Sequence, residues 1–142
     1  MSETFNGFEV YLMPMFVTLA DDDPQRLADW YVAALGFGVM FAGPVIHLRR
    51  QKYQDILIVR GTPSSGGPTI SVMADGEVDA IAERARAVEA FGRVAIDGPV
   101  NTPWNTRDLR ITDPAGHRLV ITSRGNDPEA EARMRAMFAS TK

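Results

Sequence analysis

One pattern occurs twice along this chain, and that repetition restricts its possible folds more than any other feature. From Tyr11 to Leu19 the run YLMPMFVTL reads as β. It stops at Asp21, Asp22, Asp23 and Pro24, where an aspartate can cap a helix and a proline is tolerated in the first turn. PQRLADWYVAALGF then sets Leu27, Trp30, Tyr31, Ala34 and Leu35 at helical spacing, with Gly36 as the stop. Strand candidates follow at GVMFA, VIHLRR and DILIVRG. After the turn-rich GTPSSGGP the order restarts with the strand TISVMA and the helix VDAIAERARAVEAFG, ending near Gly92. RVAID, TRDLRIT and HRLVIT complete the half, the last two joined by the turn DPAG. Each half is therefore β, α, β, β, β, with a period of about 55 residues between the helix-ending glycines. This predicts an α+β protein of two tandem βαβββ modules rather than a doubly wound sheet. The modules run over about 9–61 and 69–124, joined by a linker at 62–68, within a single domain spanning 1–142. In the tail, Met134 and Met137 or Phe138 fall at helical spacing, so a short terminal helix is expected over about 127–139.

Composition removes several functions. The 142 residues are enough to bury a core without disulfides. There is no cysteine, which excludes thiolate catalysis, thiolate zinc sites and a disulfide scaffold. A net charge of −3 supplies no field for polyanions, so nucleic acid is not an expected partner, and an apolar or cationic small molecule is better tolerated. The stretch MSETFNGFEVYLMPMFVTLADDD has neither a basic n-region nor an apolar run of membrane-spanning length, so a cytoplasmic protein without membrane contact is expected. No nucleophile elbow, phosphate loop or triad order is visible.

Two segments carry a family resemblance. LADWYVAALGFGV resembles the helix-to-strand signature of the vicinal oxygen chelate superfamily, the glyoxalase/bleomycin-resistance/dioxygenase group, in which an aromatic pair precedes a Leu-Gly-Phe turn. PWNTRDLRITDPAGHRLVIT resembles its carboxy-terminal signature, a Trp-containing loop followed by strand, Asp-Pro-x-Gly turn and strand. The two fall in the expected order. The resemblance implies that the modules form an open, cupped mixed sheet around a cleft, and that a divalent metal is held there by His, Gln or Glu from the first and fourth strands of each module.

Carried over by spacing, those four positions fall on Phe16, on Leu57 (or Ile56 or Ile58), on Ile70 or Val72, and on Val120. Ile70 and Val72 are two residues apart and so share one face of their strand. All are hydrocarbon, and Asp55 reaches the site only with a two-residue shift. No metal and no cofactor is expected. What remains resembles the non-catalytic bleomycin-resistance branch, whose members sequester a drug. The resemblance then implies a homodimer whose cleft holds an amphipathic aromatic antibiotic or toxic metabolite against Phe16, Leu57, Ile70 and Val120, with Trp104 stacking on it. The alternative is a lyase, isomerase or dioxygenase with His47, Asp55 or Arg107 forming an atypical site.

Individual residues also have ordinary structural readings. Trp104 lies among Pro103, Asn101 and Asn105, a loop composition that suits either a lid on a ligand or a plug on the core. Trp30 and Tyr31 share helical spacing with Leu27 and Leu35 and read as core. Met13, Met15, Met40 and Met73 suit an adaptable pocket or simple gap filling. His47 shares a strand face with Val45 and Arg49, where it is either a ligand-binding group or a partly exposed structural residue. His117, just after Gly116, reads as an exposed turn residue, and Asp21, Asp22 and Asp23 read as helix capping rather than a cation site.

Overall fold

The computed structural model describes residues 4–5, 7–63, 67–88, 92 and 94–139. Both βαβββ modules are present. The first comprises strand β3 (Val17–Asp21), helix α1 (Pro24–Leu35) and strands β4 (Gly38–Ala42), β5 (Val45–Arg49) and β6 (Asp55–Arg60). The second comprises β7 (Ile70–Met73), α2 (Val78–Ala87), β8 (Ala95–Asn101), β9 (Thr106–Thr112) and β10 (Arg118–Arg124). A two-stranded hairpin, β1 (Thr4–Phe5) with β2 (Phe8–Glu9), precedes them, and α3 (Pro128–Ala139) follows. The modules give two four-stranded mixed sheets with the same order, β3-β6-β5-β4 and β7-β10-β9-β8, in which the first strand lies parallel to the last.

Sequence explains the element boundaries. Helix α1 starts where the Asp23 carboxylate accepts the Arg26 amide at 3.2 Å, with Pro24 in the first turn. It stops at Gly36, whose φ of 78° is a left-handed conformation that costs glycine least. The first strand is shorter than the apolar run around it. Only Val17–Asp21 pairs with β6, while 10–16, interrupted by Pro14, are irregular. Strand β8 extends beyond RVAID to Asn101, with a register shift between Asp97 and Val100. The expected end of the second helix and part of the linker (89–91, Arg93 and 64–66) lie outside the described residues.

Each sheet buries one face. Leu19, Ile46, Leu48, Ile56 and Ile58 of the first sheet, and Val72, Leu109, Ile111, Leu119 and Ile121 of the second, meet the apolar stripes of α1 and α2 in one continuous core. Trp30 and Tyr31 are fully buried and stand edge to face, ring centroids 4.9 Å apart. The modules are also linked by polar contacts: Arg84 of α2 donates to the Ala34 carbonyl near the end of α1, and Arg50 pairs with Glu77. The opposite sheet faces are left open by the helices. On them lie Thr18 and Ala20 of β3, Val45 and His47 of β5, Leu57 and Val59 of β6, Ser71 and Met73 of β7, Arg110 of β9, and Val120 and Thr122 of β10, none of them buried. Among the described residues no helix is long and apolar enough to cross a membrane.

Candidate binding site

The strand registers fix what the open faces present. Leu57 pairs with Thr18 on one side and His47 on the other, and Val120 pairs with Ser71 and Arg110. Ile70 and Val72 do share one face of β7, but that face is the packed one. Between them Ser71 points to the open side. Phe16, just ahead of β3, and Ile70 meet elsewhere, in a groove of about 430 Å³ between the two first strands that is also lined by Met15, Phe37, Tyr53 and Met73. Val120 lines a second hollow, of about 270 Å³, with Thr69, Asp97, Arg110 and Arg118. The structure thus places Phe16 with Ile70, and Leu57 beside His47, and puts Val120 on the other sheet.

The polar centre of the first module is Asp55. Its side chain is completely enclosed and accepts from the Tyr11 hydroxyl at 2.5 Å, His47 Nε2 at 2.7 Å and Arg49 Nε at 2.5 Å. Burial pushes the carboxyl's pKa upward, but these three donors outweigh it and hold the group below the usual carboxylate range. Burial together with the bond to Asp55 raises the Tyr11 hydroxyl. The Arg49 guanidinium also lies 4.0 Å from the centroid of the Tyr11 ring and donates to the Glu9 carbonyl. An ionised carboxylate only accepts, so His47 Nε2 carries the proton, and Nδ1 has no partner among the described residues. Asp55 with three donors is an anchor; His47 is the member of the group with an atom left to offer.

A second polar cluster joins the modules. Buried Asp113 accepts from the Tyr31 hydroxyl at 2.7 Å, from the amides of Ala115 and His117 at 2.9 and 3.0 Å, and from His117 Nδ1 at 2.9 Å. Burial and the Asp113 charge raise the Tyr31 pKa well above its ordinary value. His117 is therefore not an exposed turn residue: only 10% of its side chain is accessible, because the turn folds its ring back onto Asp113. Arg107 also departs from the expectation of an atypical site. It donates to Asp79 of α2 at 2.8 and 3.1 Å, which ties it to the helix side.

Trp104 stands in the β8–β9 turn, 51% exposed, and none of the hollows described above includes it. The turn is held by Thr102 and Thr106, and Arg133 of α3 donates to the Pro103 carbonyl. Spacing alone did not single out Tyr11 or Arg49. The alternation of VIHLRR places Arg49 beside His47, but nothing local announces that Tyr11 returns to them from 44 residues before Asp55.

The donor chemistry does not suit a divalent transition ion. The neighbouring pairs Thr18–Leu57 and Ser71–Val120 offer two neutral hydroxyls and two hydrocarbons, where such an ion needs imidazole or carboxylate. Asp55 is already engaged by three donors, one of them the Arg49 guanidinium, whose positive charge opposes a cation beside it.

Comparison with known proteins agrees with this architecture. The family model of the Glyoxalase/Bleomycin resistance protein/Dioxygenase superfamily matches residues 15–121, and the chain belongs to that superfamily. No curated protein matches it. Among solved structures it is similar to TioX from Micromonospora sp. ML1, at 23% identity and a TM-score of 0.62 over 78% of this chain and 97% of that one. It is also similar to the fosfomycin resistance protein FosX from Mesorhizobium loti (15%, TM-score 0.62, 77% and 89%) and to a lactoylglutathione lyase from Agrobacterium tumefaciens (19%, TM-score 0.61, 77% and 91%). At these identities the likeness is one of fold.

Proposed function

We propose that the protein is a non-catalytic small-molecule binding protein of the bleomycin-resistance type, which sequesters an amphipathic aromatic compound on its open sheet faces without a metal. The observation that carries this reading is the pair of hydrocarbon side chains, Leu57 and Val120, at the last-strand positions of the two modules, each flanked by a neutral hydroxyl. With no ion to orient it, a guest is held by shape, by hydrogen bonds and by aromatic stacking. On those faces Leu57 and Val120 supply apolar contact and His47 a hydrogen-bonding nitrogen; Phe16 and Ile70 line the separate groove between the first strands, where the apolar end of a larger guest can lie, and Trp104 supplies the stacking ring. A homodimer completes the cleft by setting the open face of one module against that of its partner. The exposed Val39, Phe41, Val45 and Val100 give such an assembly apolar surface to cover. Resistance proteins and a lyase both occur among structures of this fold, and the donor chemistry favours the former.

A thermal-shift screen of aromatic amphiphiles tests the proposal. A ligand at 100 times its dissociation constant that binds only the folded state adds about 2.7 kcal/mol. The expected hit retains its effect after chelation and loses it in Val120→Asp and Leu57→Asp. Turnover of the hit, or one bound transition metal per chain required for its binding, contradicts the proposal.

A further inference from the structure

We infer that Arg49, Tyr53 and Asp55, with His47 beside them, form a recognition site for a phenolic ligand, occupied in the free chain by the protein's own Tyr11. The inference rests on the reading of the open faces as a binding surface and names a ligand class for the polar end of one of them. Every group of the Tyr11 side chain is recognised. The hydroxyl donates to Asp55 at 2.5 Å and accepts the Tyr53 amide at 2.6 Å. One face of the ring meets the Arg49 guanidinium at 4.0 Å, and the Tyr53 ring lies 4.8 Å away at a 59° tilt. Arg49 spends a further N–H on the Glu9 carbonyl, 2.5 Å away, so the site also recognises a carbonyl oxygen near the phenol.

Two observations set this apart from ordinary core packing. Tyr11 belongs to no helix or strand; the irregular stretch 10–16 around it is largely exposed, Leu12 at 94% and Met15 at 82%. Two of the groups that receive it sit on paired strands, Arg49 opposite Asp55 across β5 and β6, and the third, Tyr53, lies in the turn that joins those strands. The pocket thus holds a ring delivered by an irregular segment that follows the β1–β2 hairpin, whose own contacts include the Arg49 and Lys52 bonds to Glu9 and Phe8 against Gly38. Asp55 lies on the strand face opposite the core residues Ile56 and Ile58, and its partners there are Tyr11, His47 and Arg49. A free phenol offering the same hydroxyl and ring satisfies the same partners.

The experiment uses p-cresol, the Tyr side chain as a free molecule, with toluene as its match lacking the hydroxyl. In the full-length Tyr11→Ala variant the site is vacated, and saturating p-cresol is expected to raise the melting temperature by about 3 °C or more, while toluene does not. Wild type is expected to bind p-cresol at least tenfold more weakly, because Tyr11 competes, and Tyr11→Ala/Asp55→Asn is expected to lose the response. Wild type also gives a reading independent of variant folding: excess p-cresol displaces Tyr11 and shifts the Tyr53 amide resonance, whereas toluene leaves it in place. Equal stabilisation of wild type and Tyr11→Ala, an equal response to toluene, or an unmoved Tyr53 amide overturns the phenol site. If larger aromatic amphiphiles still bind in those cases, the proposed function stands without it; if none binds either protein, both fall.

Discussion

Replacing Tyr31 with Phe removes one oxygen atom and, with it, a direct bond between the two modules. The hydroxyl is fully buried in α1 and donates at 2.7 Å to Asp113, which lies 82 residues away in the β9–β10 turn. A hydrogen bond to a charged acceptor contributes about 1.5–3 kcal/mol. Asp113 keeps the amides of Ala115 and His117 and the His117 ring as donors, so the carboxylate is not orphaned and the loss falls at the lower end, about 1.5–2 kcal/mol. The sign of its pH dependence follows from the Tyr31 pKa, which burial and the Asp113 charge raise well above the ordinary value. Above about pH 10 an unfolded tyrosine gives up its proton while Tyr31 in the fold keeps it. The contribution of Tyr31 is therefore complete below that pH and is lost as pH rises through its folded value. Urea unfolding followed by circular dichroism should show a lower midpoint for Tyr31→Phe at pH 7 with an unchanged slope, and a gap to wild type that narrows above pH 10. Equal midpoints at pH 7, or a gap that stays constant to pH 11, would refute the buried-bond argument.

Asp55→Asn should cost about 3 kcal/mol at pH 7, since it strips the charge from a buried group that Arg49 pairs with. The Asp55 carboxyl lies below its usual range, so its contribution is present above about pH 4 and is lost as pH falls through the folded value; the variant's acid-unfolding curve should be correspondingly flatter. Trp104→Ala should leave the melting temperature nearly unchanged while weakening an aromatic ligand about tenfold, and Trp30→Ala should cost roughly 3–5 kcal/mol of stability. Calorimetric titration and melting of both variants separate the two roles, and the reverse pattern would exchange them. Sedimentation at micromolar concentration should give twice the 15.6 kDa chain mass, and a persistent monomer would remove the intersubunit cleft.

Local signals specified the fold well. Asp23, Pro24 and Gly36 bracket α1 as capping chemistry demands, and the alternation in TRDLRIT matches β9 from Thr106 to Thr112. The N-terminal boundary is less legible, because YLMPMFVTL is apolar apart from Thr18 while only its end pairs with β6; hydrophobicity does not tell a strand from a segment laid across one. The site was legible in part. Alternation puts Leu57 and Val120 on the open faces, yet for Ile70 a two-residue period gives the partner positions without saying which face is packed. The bonds of Tyr11 to Asp55 and of Tyr31 to Asp113 span 44 and 82 residues, and no local pattern encodes a contact made by tertiary packing.

On the proposed function, the open faces bind a small molecule through carbon and hydrogen-bonding groups alone. Methyl resonances of Leu57 and Val120, followed while a screened aromatic ligand is titrated in excess chelator, test it most directly. Saturable shifts of both methyl groups are expected, with the affinity the same before and after chelation. Shifts confined to residues elsewhere, or binding that returns only when a divalent metal is restored, would contradict it.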